Sequence, residues 1–276
     1  MPDAQLPGAR LRYETAGDEG TPVILVMGFS MPGHAWRFQV PAFAEHHRVV
    51  SFDNRGAGES EVPPGPYSMT QLAGDAVALM DHLGWESAHV VGVSMGGMVA
   101  QHIALDHRER VRSLTLIVTH PGGSIRTRLP RPAGIMGFAR TMTAKKPERI
   151  KALVRLLFPK AYRAKVGEEK LREILGRDLA KPPSKAGRRG QLRAVIGHTT
   201  VGRLGELADV STLVIRAGED LLVNPRGSDI LHAKIPNSAL LRIPDAGHGI
   251  IRMSADTINP AMLRHFAAAD MARAGA

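Results

Sequence analysis

The chain has 276 residues, 43% of them hydrophobic and 22% charged, an ordinary globular balance that excludes a disordered or fibrous protein. It has no cysteine, which rules out disulfides, thiol nucleophiles and thiolate metal sites. Its net charge of +10 is uneven: residues 121–205 hold 21 Lys and Arg against 5 Asp and Glu, and the remainder holds 15 against 21.

In chain order, short β-branched apolar runs at residues 11–15, 23–27 and 49–53 read as strands. A helix is predicted over 68–83, opened by the capping-type residues Ser68 and Thr70 and closed at Gly84, with Leu72, Ala76, Leu79, Met80 and Leu83 on one face. A strand over 89–93 runs directly into a helix over 95–106, and a further strand covers 114–119. Pro- and Gly-rich turns follow, then amphipathic helical segments at 150–158 and 168–179 and a polar linker, KPPSKAGRRG, at 181–190. Strands return at 212–216 and 239–243. Most of the runs are continuously apolar, as expected of strands buried on both faces, so the pattern predicts an α/β fold with a mostly parallel, doubly wound sheet. Residues 1–120 and 206–276 are expected to form the core, and the basic residues 121–205 a helical cap inserted between two of its strands. No apolar run reaches the roughly 18–20 residues that a membrane helix needs. The first residues also lack the apolar stretch of a secretory leader, so the expectation is a cytoplasmic protein without a transmembrane segment.

Gly92-Val93-Ser94-Met95-Gly96 has the form G-x-S-x-G, between a predicted strand and a predicted helix. That context is what the motif requires: a sharp turn pushes the Ser94 hydroxyl into the open, and small residues let backbone approach backbone. A serine needs a base within hydrogen-bond reach. Of the 12 histidines, His248 is the candidate, because it lies between Gly247 and Gly249 on the loop after the last strand. His46, His47, His107 and His232 read as solvated positions, His89 lies at the wrong end of its strand, and His120 and His198 stay open as pocket residues. The carboxylate that fixes the imidazole tautomer is Asp220, at the end of the strand over 212–216, with Glu219 beside it. Asp245 is too close in sequence to His248 to serve. Two backbone N–H groups are expected to meet the oxyanion: that of Met95, after the serine, and that of Phe29, in the turn after residues 23–27.

With VILVMGFS, FDNRGAGES, GVSMGG, TLVIRAGEDLLVNP and DAGHG in that order, the chain resembles the α/β-hydrolase superfamily over nearly its whole length except the cap. Carboxylesterases, enol-lactonases and anthracycline methylesterases of bacteria are the branches it looks most like. Two positions depart from the family pattern. Met27 stands where a histidine usually precedes the oxyanion glycine, and Ala217 where a glycine usually ends the acid strand. Counted from Ala217, Asp220 is the acid; counted from Gly218, the position would be Leu221. Asp53, Arg55, Gly56, Gly58 and Ser60 are read as structural ties of a turn, and Trp36 as packing.

The resemblance implies a serine hydrolase cleaving a carboxylic ester or lactone through an acyl-enzyme, with no cofactor and no metal. Carbon–carbon bond hydrolysis, thioester hydrolysis and cofactor-free perhydrolysis use the same triad. A non-catalytic ligand-binding protein on this scaffold is the reading from another class. Serine at the elbow argues against dehalogenase and epoxide hydrolase chemistry, which use aspartate there. The pocket candidates are Ser30, Met31, His120, Met136 and Phe138, beside Met95. The charges at Arg126, Arg128, Arg131, Arg140, Lys145, Lys146 and Arg149 either favour an anionic substrate or acidic surface, or are a solvated face. A small-molecule partner is expected, and nucleic acid is not, because no groove-reading motif accompanies the charge.

Overall fold

A computed structural model of the chain describes residues 2–124, 130–181 and 184–275. The apolar runs form one eight-stranded sheet: β1 (Asp3–Gln5), β2 (Arg10–Ala16), β3 (Pro22–Val26), β4 (Arg48–Phe52), β5 (Ala88–Val93), β6 (Val111–Ile117), β7 (Thr212–Ala217) and β8 (Ala239–Ile243), in the order β1-β2-β4-β3-β5-β6-β7-β8. The pairs β1–β2 and β2–β4 are antiparallel and the rest parallel. The short strand β1, with a single buried residue, carries no pattern long enough to read from sequence.

Alternation along the central strands divides the core. Ile24, Val26, Val90, Leu114, Leu116 and Val214 pack on one face, with helices α2 (Met69–His82) and α3 (Met95–Asp106). Val23, Leu25, Val91, Ile117 and Ile215 pack on the other face, with α1 (Val40–Ala44) and the long C-terminal helix, through Phe43, Ile258, Met262 and Phe266. Both faces are covered, so β3 and β5 are buried at every position. Helix α2 starts as its capping residues predict: Ser68 Oγ accepts from Gln71 N–H at 3.1 Å, and the Gln71 side chain accepts from Ser68 N–H at 2.9 Å.

Among the described residues, five α-helices lie between β6 and β7: α4 (Pro132–Thr143), α5 (Lys146–Leu157), α6 (Lys160–Val166), α7 (Glu168–Asp178) and α8 (Lys185–Gly197). After β7 come α9 (Arg226–Lys234), α10 (Ile250–Met253) and α11 (Ala255–Ala274). The segment 181–190 differs from the expected linker. Ser184 Oγ accepts from Gly187 N–H at 2.8 Å, which caps a helix whose first turns contain Gly187 and Gly190. A β-carbon at Gly187 would stand 2.1 Å from Gly56 O, and one at Gly190 2.5 Å from the Tyr67 ring. Close packing therefore sets both residues, against a helix-propensity cost of about 1 kcal/mol each. His47 also differs from the expected solvated position. It is buried against His89 and Phe266, with Nδ1 at 3.1 Å from Thr21 Oγ1. Among the described residues no helix is long and apolar enough to cross a membrane.

Candidate active site

Strand β3 is hydrogen-bonded to β5 in register Val26↔Gly92, so the turns that leave their C-terminal ends meet. Ser94 occupies the second of these turns with φ 57° and ψ −120°, a backbone conformation that side chains other than glycine rarely adopt. The fold leaves room for nothing larger around it. A β-carbon at Gly92 would lie 2.2 Å from Gly96 O, and one at Gly96 2.0 Å from Val26 O. Thr119 Oγ1 donates to Ser94 O at 2.8 Å, and Ser94 N–H donates to Ile117 O at 2.9 Å, which fixes the turn on β6.

His248 follows β8 and is 7% exposed. Its Nδ1–H donates to Asp220 Oδ2 at 2.7 Å. Asp220 is 1% exposed, and its other oxygen accepts from the N–H groups of Leu222 at 2.7 Å and Val223 at 2.9 Å. All of this carboxylate's strong donors are therefore in place, and Asp220, not Leu221, meets the histidine. The bond at Nδ1 leaves Nε2 with the ring's lone pair. The hydroxyl of Ser94 makes no hydrogen bond among the described residues, and it shares one cavity with His248.

Phe29 and Met95 line the same cavity. Next to them, Ser30 N–H is already taken: it donates to Gln191 Oε1 at 2.8 Å, while Gln191 Nε2 donates to Arg55 O at 2.8 Å. Gln191 is fully buried on α8, and it was not legible as a site residue, because a glutamine in a basic helix carries no signal of its target. Phe29 also packs on Phe138 of α4, ring centroids 5.8 Å apart.

The cavity measures about 460 Å³ and is lined mainly by Met, Leu, Ile, Val and Phe side chains. Ser30, Met31, His120 and Phe138 line it. Met136 does not: it is 72% exposed. Phe138, Thr141 and Met142 face inward, and Met136, two residues before Phe138, falls roughly 200° around the helix from it. His120 Nδ1 accepts from Gly122 N–H at 3.0 Å, and His198 lies behind it, with Nε2 donating to His120 O at 3.0 Å. His198 is buried outside the lining.

Arg37 and Asp178 close one side of the cavity with an ion pair at 2.8 Å. Burial pushes the Asp178 carboxyl up, but bonds from His34 and Arg37 bring it below its ordinary value. Asp53 accepts from Gly33 N–H at 2.6 Å and from Glu59 N–H at 2.7 Å, and Arg55 pairs with buried Asp75. These contacts stiffen the turn over residues 53–60 and touch no cavity atom. Trp36 is fully buried, behind the lining residues Ala35 and Arg37. Among the described residues no group of His, Asp and Glu is placed to hold a metal ion.

Of the basic residues singled out in sequence, Arg126 and Arg128 lie outside the described residues. Arg131, Arg140, Lys145 and Lys146 are exposed, and Arg149 is half-buried on the cavity wall.

Comparison with known proteins agrees with this architecture. A protein of Azorhizobium caulinodans provisionally named the carbamate hydrolase RutD is 30% identical over 266 residues, covering 95% of this chain and 97% of that one. A Mycobacterium tuberculosis protein provisionally named the non-heme bromoperoxidase BpoC is 33% identical over 273 residues, covering 93% and 97%. The crystal structure of the enol-lactonase from Burkholderia xenovorans LB400 superposes with a TM-score of 0.83 at 25% identity, over 96% of this chain and all of that one. The family model for the alpha/beta hydrolase fold matches residues 21–251, and the chain belongs to that family.

Proposed function

We propose that Ser94, His248 and Asp220 are a catalytic triad, and that the protein hydrolyses a carboxylic ester or lactone through an acyl-enzyme on Ser94. The observation that carries the reading is one juxtaposition. A serine held in a strained turn opens on the same cavity as a histidine whose Nδ1–H is bonded to a buried carboxylate at 2.7 Å. In that tautomer His248 Nε2 takes the Ser94 proton as Oγ attacks the carbonyl carbon. The negative charge then develops on the carbonyl oxygen, toward the N–H groups of Phe29 and Met95. Each such donor is worth about 3–4 kcal/mol in the transition state. His248 returns the proton to the leaving oxygen, and a water that it deprotonates releases the acid. Asp220 remains ionised and stabilises the imidazolium. Proton transfer needs Oγ and Nε2 within about 3.2 Å, a contact that commonly tightens only when substrate is bound.

In this reading residues 121–205 act as a cap on a core of residues 1–120 and 206–276, and the cap's apolar wall selects the substrate. Ser30, Met31, His120 and Phe138 are assigned to the pocket.

The test is turnover of p-nitrophenyl acetate, butyrate and octanoate by the wild type and by Ser94→Ala, with labelling by a fluorophosphonate probe. Wild-type turnover and labelling, both lost in Ser94→Ala, are expected. A folded wild type that neither turns over these esters nor takes the label is a binding protein on a hydrolase scaffold, and the proposal fails.

A further inference from the structure

Most of the basic residues between β6 and β7 face solvent, but Arg149 and Arg188 turn inward. Each opens a cavity-lining stripe at helical spacing: Arg149, Leu153, Leu156 and Leu157 on α5, and Arg188, Leu192, Val195 and Ile196 on α8. The two stripes bring one arginine each to the same cavity. Among the described residues no carboxylate forms an ion pair with either one, whereas the neighbouring Arg37 is paired with Asp178. Arg149 Nε is buried without a hydrogen-bond partner. Among the described residues, Arg188 Nη2 donates only to Met142, to its carbonyl at 2.7 Å and its sulfur at 3.1 Å. Burial, and then the like charge of Arg149, pull the Arg188 guanidinium below its ordinary value. Two like charges on an apolar wall are a cost that a bound anion removes.

We propose that Arg149 and Arg188 are the anion-binding end of the cavity, and that the substrate is an ester or lactone that also carries a carboxylate. The inference rests on the ester-cleavage reading for the reacting end of the cavity. Position separates the two ends. Leu157 O accepts from Gly249 N–H at 2.7 Å, beside His248, and Arg149 lies eight residues earlier on the same helix. That is about 12 Å along the axis. The carboxylate therefore sits several atoms from the scissile bond, with an apolar chain between them along Leu153 and Leu156.

The experiment uses two esters of the same length, p-nitrophenyl hydrogen suberate and p-nitrophenyl methyl suberate. A carboxylate bonded to a guanidinium is worth roughly 10- to 100-fold in kcat/KM. The wild type is therefore expected to favour the free acid by that factor. Arg149→Met and Arg188→Met each bring the ratio toward one, and Arg149→Lys restores part of it. Arg189→Met, on the exposed face of α8, leaves the ratio unchanged. In parallel, calorimetry on Ser94→Ala is expected to show suberate binding that Arg149→Met and Arg188→Met weaken. Cleavage of the methyl ester with no preference for the acid overturns the anion site and leaves the triad standing. No cleavage of either ester, with arginine-dependent suberate binding, overturns ester cleavage and sustains the anion site. Absence of suberate binding, or tighter binding of octyl phosphate than of suberate, overturns the carboxylate assignment.

Discussion

Replacing Asp220 by asparagine separates orientation of the histidine from integrity of the fold. Asp220 makes three bonds: Oδ1 accepts from Leu222 and Val223 N–H, and Oδ2 accepts from His248 Nδ1–H. In Asp220→Asn the amide oxygen takes over the two backbone donors, so stability should fall by no more than about 1 kcal/mol. The amide NH2 then faces His248 and accepts nothing. Nδ1 must give up its proton and become the acceptor, which puts the ring proton on Nε2, where the Ser94 proton has to go. This wrong tautomer lowers kcat by about four orders of magnitude in triads of this kind. At 1.36 kcal/mol per tenfold, that is roughly 5.5 kcal/mol of barrier. In Asp220→Ala the two backbone N–H groups are also left unbonded in the interior, at about 1–3 kcal/mol each. Its urea midpoint should therefore drop where that of the asparagine variant does not. Initial rates on p-nitrophenyl butyrate, read beside urea unfolding followed by circular dichroism, give both quantities. An asparagine variant that folds and keeps kcat within tenfold of the wild type refutes the orienting role of Asp220. So does an activity loss that only tracks the stability loss across the two variants.

Three further substitutions test the frame around the site. Gly96→Ala places a β-carbon 2.0 Å from Val26 O and should lose roughly 1–3 kcal/mol of stability by urea titration, with a lower kcat. Gln191→Ala strips Ser30 N–H and Arg55 C=O of their buried partner, at about 1–3 kcal/mol each, and frees the loop that carries Phe29. A lower melting temperature with unchanged kcat/KM would show that Gln191 does not hold the oxyanion turn. The buried His89 is driven from 6.5 to about 4 by burial, against the raising influence of Asp270. The folded chain thus binds its proton only near pH 4, while the unfolded chain binds it near 6.5. Stability is full above pH 6.5 and falls as the pH drops toward 4, by at most about 3 kcal/mol. His47 is shifted in the same direction, again by burial first, whereas the Asp270 carboxyl lies below its ordinary value and is protonated only at lower pH. Urea midpoints at pH 7.5 and 4.5 measure the slope. His89→Gln should flatten it, and an unchanged slope in that variant would assign the pH dependence to other groups.

The proposed chemical centre was legible in sequence because its requirements are local. A serine in a turn with no room for a β-carbon on either side demands glycines at fixed offsets, and the strand and helix around it carry their own periodicity. The acid and the histidine each follow a strand end, so chain order and distance from the strand were enough to pick Asp220 and His248 out of 26 acids and 12 histidines. The helices between β6 and β7 were legible only where their apolar stripes are long, as on α5 and α7. Helix α4 is broken by glycines and α8 begins in a glycine-rich polar stretch, and both are fixed by tertiary contacts that no local pattern encodes. Met136 and Phe138 show the consequence: once the helix phase is unknown, two residues on opposite faces look equally suited to a pocket. Arg188 was passed over for the same reason, since its place in a stripe with Leu192 and Val195 appears only when the helix is known to exist.

The contacts between the proposed cap and the core bear on how substrate selection and chemistry are connected. The oxyanion turn, the acid loop and the histidine loop are each tied to at least one cap helix. The oxyanion turn is held by Gln191 of α8 through Ser30 N–H, and Phe138 of α4 packs on Phe29. The acid loop receives Arg131 Nη2 at Gly218 O at 3.3 Å, and Gly134 of α4 lies so close that a β-carbon there would stand 1.7 Å from Leu221 O. The histidine loop donates Gly249 N–H to Leu157 O at the end of α5, and a β-carbon at Gly249 would lie 2.4 Å from the Phe158 ring. A cap that only covered the cavity would need none of these. With them, a displaced helix moves a donor, the acid or the base by tenths of an ångström, and a catalytic hydrogen bond weakens steeply over that range. Cap substitutions at these ties should therefore lower kcat as well as raise KM, whereas those at Arg149, about 12 Å along α5 from the histidine loop, and at Arg188 of α8 should act on the choice of substrate.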